Sequence, residues 1–211
     1  MRSIREIAER LAQPPSSEYY DEVVSEPKAG SAAVAIILTG QRSEASEGTS
    51  LKLCLIKRAE RHDDPWSGHM ALPGGRVSAT DFSIQSAAER EVMEEVGLTI
   101  DSKLLIGRLP QLPIRRYRID TGLMLSPFVY YAGPQPLPLI PNHEVAAAFW
   151  VDLDYLWDPA NRTTLRATYD EKELVFPAIR IGDDLLWGLT LRVLQLFADR
   201  IGEPFAPGPS A

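Results

Sequence analysis

Glu91, Glu94 and Glu95 lie at i, i+3 and i+4, so a helix through them stacks three carboxylates on one face. Like charges this close repel, by roughly 0.2–0.5 kcal/mol per exposed pair and by more when partly buried. An oxygen-rich cluster of this kind suits a hard divalent cation, Mg²⁺ or Mn²⁺, which relieves the repulsion. The plainer alternative is a solvated acidic face on which Arg90 pairs with Glu94 at i+4. Upstream, Gly74 and Gly75 follow Pro73, and a glycine pair lets the backbone approach a ligand closely.

The elements that must position these groups are a turn and a helix. Asp81 is a suitable N-cap, and Gly97 followed by apolar Leu98 is a helix stop. Val92, Met93 and Val96 are expected to face the core.

Taken together, Gly75-x5-Asp81-x8-Arg90-Glu91-Val92-x-Glu94-Glu95-x-Gly97-Leu98 resembles the Nudix box, G-x5-E-x7-R-E-U-x-E-E-x-G-U, where U is a bulky apolar residue. Asp81 replaces the first glutamate, and one extra residue precedes Arg90; the REUxEExGU core is intact. The resemblance implies an α/β fold, the α/β/α Nudix sandwich with a central mixed sheet. It also implies a hydrolase in which Glu91, Glu94 and Glu95 hold Mg²⁺ or Mn²⁺, completed by a backbone carbonyl of Gly74 or Gly75. Arg90 would then orient the acids by ion pairing. Nudix enzymes often supply one more glutamate from outside the box, and the Pro141-Asn142-x-Glu144-Val145 context makes Glu144 that candidate, as ligand or base. Glu95 and Glu144 compete for the role of base.

A second resemblance narrows the substrate. Coenzyme A pyrophosphatases within this family carry an upstream signature, roughly L-L-T-x-R-S/A-x3-R-x3-G-x3-F-P-G-G. Leu55-Ile56-Lys57-Arg58-Ala59 is similar to its start and Gly68-x3-Leu72-Pro73-Gly74-Gly75 to its end, which marks Arg58 and Gly68 as substrate-binding candidates. Lys57 stands where threonine is expected, the middle is longer by a residue, and Asp64 lies four before Gly68 where the signature has arginine. Trp187-Gly188-Leu189-Thr190 is similar to the same subgroup. Pro113, fifteen residues past Leu98, instead resembles ADP-ribose pyrophosphatases. A third expectation, from another class, is a Nudix-derived module that binds a nucleotide without cleaving it; such a module tolerates loss of box carboxylates, and here all are present.

The rest of the chain reads as support. Ile4, Ile7, Ala8 and Leu11 at helical spacing make a short amphipathic helix over 2–12, stopped by Pro14-Pro15. A polar link leads to strands at 31–38 and 51–58, forming a hairpin across a long loop. The loop 59–70 holds His62, Asp63, Asp64 and His69 at no zinc spacing, and Trp66, Ser67 and Gly68 are placed to shape a substrate rim. Arg115, Arg116 and Arg118 form a basic loop able to bind phosphate or to be a solvated turn. Pro127 puts the strand 124–133 at an edge or bulge. Tyr169 or Phe176, on a hairpin, could reach a base ring, and Leu189, Val193, Leu196 and Phe197 face the core from a closing helix. The domain plan is therefore helix and linker at 1–30, a Nudix domain at 31–202 and a disordered tail at 203–211.

With 211 residues, 45% hydrophobic and 24% charged, the chain can bury one substantial core. A net charge of -7 argues against non-specific nucleic-acid binding, whereas a phosphate-bearing small molecule can bind through a metal. Lone Cys54 excludes an internal disulfide and reads as a small buried hydrophobe. The charged N-terminus and the lack of a spanning apolar run predict a cytoplasmic protein with no membrane partner. Its partner is a small nucleotide substrate; oligomeric state is left open, a homodimer being allowed.

Overall fold

The apolar run at 32–38 becomes the strand on which everything else is laid. The computed structural model describes residues 3–13, 30–40, 51–62, 66–116, 119–169 and 172–205. In chain order the elements are α1 (Ile4–Ala12), β1 (Ala32–Thr39), β2 (Lys52–Arg58), β3 (Met70–Ala71), β4 (Gly74–Arg76), α2 (Ile84–Val96), β5 (Leu105–Arg108), β6 (Leu112–Arg116), β7 (Ile119–Tyr131) and β8 (Val145–Asp152). Then follow α3 (Leu153–Trp157), a 3₁₀ turn at Pro159–Asn161, β9 (Arg162–Tyr169), β10 (Lys172–Ile181), β11 (Asp184–Trp187) and α4 (Gly188–Ile201).

β1 is covered on both faces, which is why it reads as a continuous apolar run rather than an alternating one. It runs parallel to β7 and antiparallel to β2 and β4, inside an eight-stranded sheet of order β3-β2-β1-β7-β5. β8 joins through β2, and β6 through β7. Successive β1 residues feed two cores. Ala33, Ala35 and Ile37 meet Ala87, Ala88, Val92 and Val96 of α2, and the facing alanines let the helix lie close to the sheet. Ile36 and Leu38 meet Ile7 and Leu11 of α1, Leu153 and Leu156 of α3, and Val193, Leu196 and Phe197 of α4. The result is an α/β/α sandwich around a mixed sheet. A second antiparallel sheet, β11-β10-β9, is tied to the large one by an ion pair between Lys57 and Asp184 at 2.8 Å.

Several expectations change. Asp81 does not cap α2; Ser83 does, accepting from the Ser86 N–H, and Asp81 is thereby free to engage a side chain. Gly97 ends the helix as expected, with φ 70° and its N–H on the Met93 carbonyl. Met93 is 53% exposed rather than in the core, because Val92 and Val96 define the buried stripe. The strand bearing Pro127 is internal, between β1 and the β5/β6 pair. Pro127 sits at the break where the antiparallel neighbour changes from β6 to β5, and its carbonyl accepts from Leu109 N–H at 3.1 Å. Phe205, within the stretch read as tail, is buried against Trp157, ring centroids 4.8 Å apart. Residues 14–29, 41–50 and 206–211, together with Asp63, Asp64 and Arg118, lie outside the described residues, and of the side chains of Arg116 and Tyr169 nothing is said. Among the described residues no helix is long and apolar enough to cross a membrane.

Candidate active site

The three glutamates emerge from α2 to different depths. Glu95 is buried, Glu91 is partly covered and Glu94 is exposed, so the helix face is a gradient rather than a uniform acidic stripe. β4 and the turn before it bring the glycines to this face. Gly74 has φ 147° and lies so close to β1 that a Cβ would sit 2.3 Å from the Ala33 carbonyl oxygen. That tight approach aims the Gly74 N–H at Glu95 Oε2, 2.8 Å away. At Gly75 a Cβ would fall 2.4 Å from the carboxyl carbon of Glu91. Glu91 thus occupies the space that glycine leaves open.

Arg90 organises the outer side. Its Nε and Nη2 donate to Asp81 Oδ1 and Oδ2 at 2.9 and 3.1 Å, a two-pronged pairing. Nη1 reaches Glu91 at 2.9 Å and Glu94 at 3.2 Å, and Nη2 also reaches the Arg76 carbonyl. Arg90 pairs with Glu91 and Glu94 and also with a partner the spacing did not identify, Asp81. The guanidinium beside Asp81 holds its carboxyl below the usual range, partly opposed by burial. Burial pushes Glu91 upward, against the pull of Arg90.

Glu95 departs furthest. Burial drives its carboxyl up to about 8, eased by the Gly74 N–H, raised again by Glu91, eased by Arg58 and raised by Glu144. Arg58 Nη1 comes only to 3.9 Å of Glu95 Oε1. The Cys54 thiol, under the same helix, is pushed up to about 12 by burial with a smaller contribution from Glu95, as fits an inert core cysteine.

Glu144 reaches this face through the loop that seals the end of α2. Ile140 N–H donates to the Val96 carbonyl and Asn142 N–H to the Glu95 carbonyl, satisfying helix carbonyls that would otherwise lack partners. Asn142 Oδ1 accepts from the Glu144 N–H at 2.8 Å, and the Glu144 carbonyl accepts from Ala59 N–H at 2.8 Å. The Glu144 side chain is held by Arg61, Nη1 to Oε1 at 2.7 Å. Sequence reasoning missed Arg61: no spacing rule links residues 83 apart, and the contact follows from pairing of β2 with β8, Arg58 opposite Val145. His143 lies 3.9 Å from Glu144 on an exposed side chain.

Other candidates are spread more widely. Gly68 lies in the turn 66–69 with φ 71°, where Arg61 N–H reaches Ser67 Oγ at 2.7 Å. Arg115 is exposed on β6, in register with Asp120, while the guanidinium partners the structure gives the carboxylates are Arg58, Arg61 and Arg90. Phe176 packs on Trp187 (5.3 Å) and Trp187 on His69 (5.0 Å), an aromatic group at the β3 edge of the sheet. On the other flank of α2, Glu89 accepts from Tyr130 Oη at 3.2 Å and from Gln85 at 2.8 Å, fastening the helix to β7.

Among the described residues no three acid, imidazole or thiol side chains already converge as a cation cage. The donors nonetheless fit a hard divalent cation in kind. Glu91 and Glu95 are covered carboxylates that burial disfavours as anions, and Gly75 leaves backbone directly against Glu91. The side chains are drawn to Arg90 and to the Gly74 amide.

Comparison with known proteins places this arrangement. The NUDIX domain family model matches residues 30–171. An uncharacterized protein of Schizosaccharomyces pombe is 31% identical over 171 residues, covering 71% of this chain and 50% of that protein. An uncharacterized Nudix hydrolase, NudL, from Enterobacter is 38% identical over 101 residues, 48% of this chain and 50% of its own length. The chain spans about half the length of the curated relatives it matches. A crystal structure of a MutT/nudix family protein from Enterococcus faecalis superposes with a TM-score of 0.57 at 20% identity, over 94% of this chain and 73% of that one, which is a likeness of fold.

Proposed function

The chain belongs to the Nudix family, and from that membership we propose that it is a cation-dependent pyrophosphohydrolase acting on a nucleoside diphosphate joined to a second group. The observation that carries the reading is Glu95: a buried carboxylate fixed by a backbone amide, with its nearest guanidinium no closer than 3.9 Å. Such a group is stabilised as an anion when a cation is added beside it. Glu91, Glu94 and Glu95, with a carbonyl of Gly74 or Gly75, would hold Mg²⁺ or Mn²⁺. When bound, the cation supplies neutralisation of the diphosphate and a more acidic water.

The residues of the chain do the rest. Arg90, anchored on Asp81, keeps Glu91 and Glu94 from drifting into solvent. We assign Glu144 as the base: its side chain is two-fifths exposed, whereas Glu95 is buried with one oxygen on the Gly74 N–H. It accepts a proton from water as the water oxygen bonds to phosphorus. The bridging P–O bond opposite then breaks, and its electron pair leaves with the departing phosphate. Arg58 and Arg61 face the same opening and would take the charge of the diphosphate.

For substrate we favour coenzyme A and its thioesters, cleaved to a phosphopantetheine and 3′,5′-ADP. The similarity of Leu55–Ala59, Gly68 and Leu72–Gly75 to the coenzyme A pyrophosphatase signature supports it, and the His69, Trp187 and Phe176 rings offer a wall for adenine. The test is phosphate release after phosphatase coupling, with Mg²⁺ or Mn²⁺, across coenzyme A, ADP-ribose, nucleotide sugars and dinucleoside polyphosphates. Turnover of coenzyme A is expected, falling about a thousandfold in Glu95→Gln. Preferred turnover of ADP-ribose would reassign the substrate. A folded protein that binds a nucleotide tightly and turns over nothing would leave a binding module.

A further inference from the structure

The geometry points to Arg61 as a positioning residue that trades partners: it holds Glu144 at the rim in the substrate-free protein and passes to the substrate diphosphate, releasing Glu144 toward Glu91 and Glu95. This rests on the hydrolase reading above. The Arg61–Glu144 contact is the shortest ion pair at the site, 2.7 Å, yet both side chains are about two-fifths exposed, 43% and 40%. An exposed pair of this sort is weakly held. The backbones beneath it are not. Arg61 N–H is fixed on Ser67, Glu144 N–H on Asn142, and the Glu144 carbonyl on Ala59 N–H. The loop bearing Glu144 is sewn to the end of α2 through Val96 and Glu95. Exchange therefore involves two side chains turning on a fixed frame.

Charge gives the exchange a direction. Asn142 N–H bonds the Glu95 carbonyl and Ala59, next to Arg58, bonds the Glu144 carbonyl, so Glu144 is held beside the elements that carry the acid face. While Arg61 holds it, its carboxylate is committed to a guanidinium rather than to the acid face. A diphosphate offers more negative charge than a single carboxylate, and acceptor oxygens that match a guanidinium fork. When it captures Arg61, Glu144 is released at the moment the substrate is in place. Discrimination follows: a ligand without a polyanionic group draws Arg61 away less strongly.

The experiment is a double-mutant cycle on Mn²⁺ affinity in the 211-residue chain without nucleotide. Arg61→Ala is expected to tighten Mn²⁺ binding about fivefold in the wild-type background and less than about twofold in a Glu144→Gln background. Arg61→Lys, which keeps the charge, should hold Mn²⁺ at the wild-type level. With coenzyme A as substrate, Arg61→Ala should raise KM about tenfold more than it lowers kcat. Equal tightening in both backgrounds would show mere removal of a positive charge and overturn the exchange, as would no tightening at all, even with normal turnover. Mn²⁺ binding that Glu95→Gln does not weaken, with no turnover of any nucleotide, overturns the hydrolase reading and this inference together.

Discussion

Asp81 and Glu95 are buried to nearly the same degree, with side chains 4% and 3% exposed, and their carboxyls shift in opposite directions. Burial raises both. The difference is the guanidinium: Arg90 meets Asp81 with two donors at 2.9 and 3.1 Å, whereas Arg58 stays 3.9 Å from Glu95. The first carboxylate is satisfied by the protein and serves as an anchor. The second is left with a backbone amide and a guanidinium no nearer than 3.9 Å, so the protein satisfies its charge less completely. Partner geometry adds to depth in setting which way each carboxyl shifts.

The strongest way to break this contrast is to remove the fork. Arg90→Ala leaves Asp81 buried without its partner and is expected to cost about 4 kcal/mol in urea unfolding, with lysine restoring only part. A loss below about 1 kcal/mol would mean that Asp81 finds water or another donor.

Next in size is the opposite effect at Glu95. Its folded carboxyl is raised from 4.5 to about 8, so the folded state binds the proton more tightly, and ionisation opposes folding. The penalty opens above pH 4.5 and is complete above about 8. In chelator at pH 9, Glu95→Gln should therefore stabilise the protein, on the order of 3 kcal/mol, with the gain gone below pH 4.5. Destabilisation at pH 9 would reverse our view of this residue.

Asp81 supplies the smaller, mirror-image limb. Its folded carboxyl is lowered, so its stabilisation is present in full above the ordinary value of 3.8 and is lost as pH falls through the lower folded value. Thermal melts of Asp81→Asn should lose about 2 kcal/mol at pH 7 and converge on wild type in acid. Parallel curves at every pH would rule out that titration.

The smallest stability change sharpens the site itself. At Gly75 an added methyl meets only the end of the flexible Glu91 side chain, and no positive φ is required. Gly75→Ala should shift stability by less than about 0.5 kcal/mol while reducing turnover about a hundredfold. Gly74 is different, since its methyl would strike β1 backbone.

What the sequence revealed and what it hid divide along range. The acid spacing, the Gly97 stop and the pairing role of Arg90 are local, set within one helix, and were readable from periodicity and box alone. Asp81 was misplaced because two polar residues compete to cap α2, and Ser83 wins through a reciprocal bond with Ser86. Pro127 looked like an edge marker, yet the gap that tolerates it arises where β6 gives way to β5, a tertiary event. Arg61 stayed invisible for the same reason: its glutamate comes from the far side of a β2–β8 ladder. Of the arginines at 115–118, Arg115 is exposed on β6 in register with Asp120; charge density in a loop does not indicate which way it faces.

The loop at 140–144 closes the end of α2 with the same backbone amides that set the place of Glu144. Helix termination and the location of the outer carboxylate are therefore one device. An insertion or deletion there would uncap the helix and displace the glutamate in a single step. The number of residues from Ile140 to Val145 is thus fixed by the helix end as much as by the carboxylate.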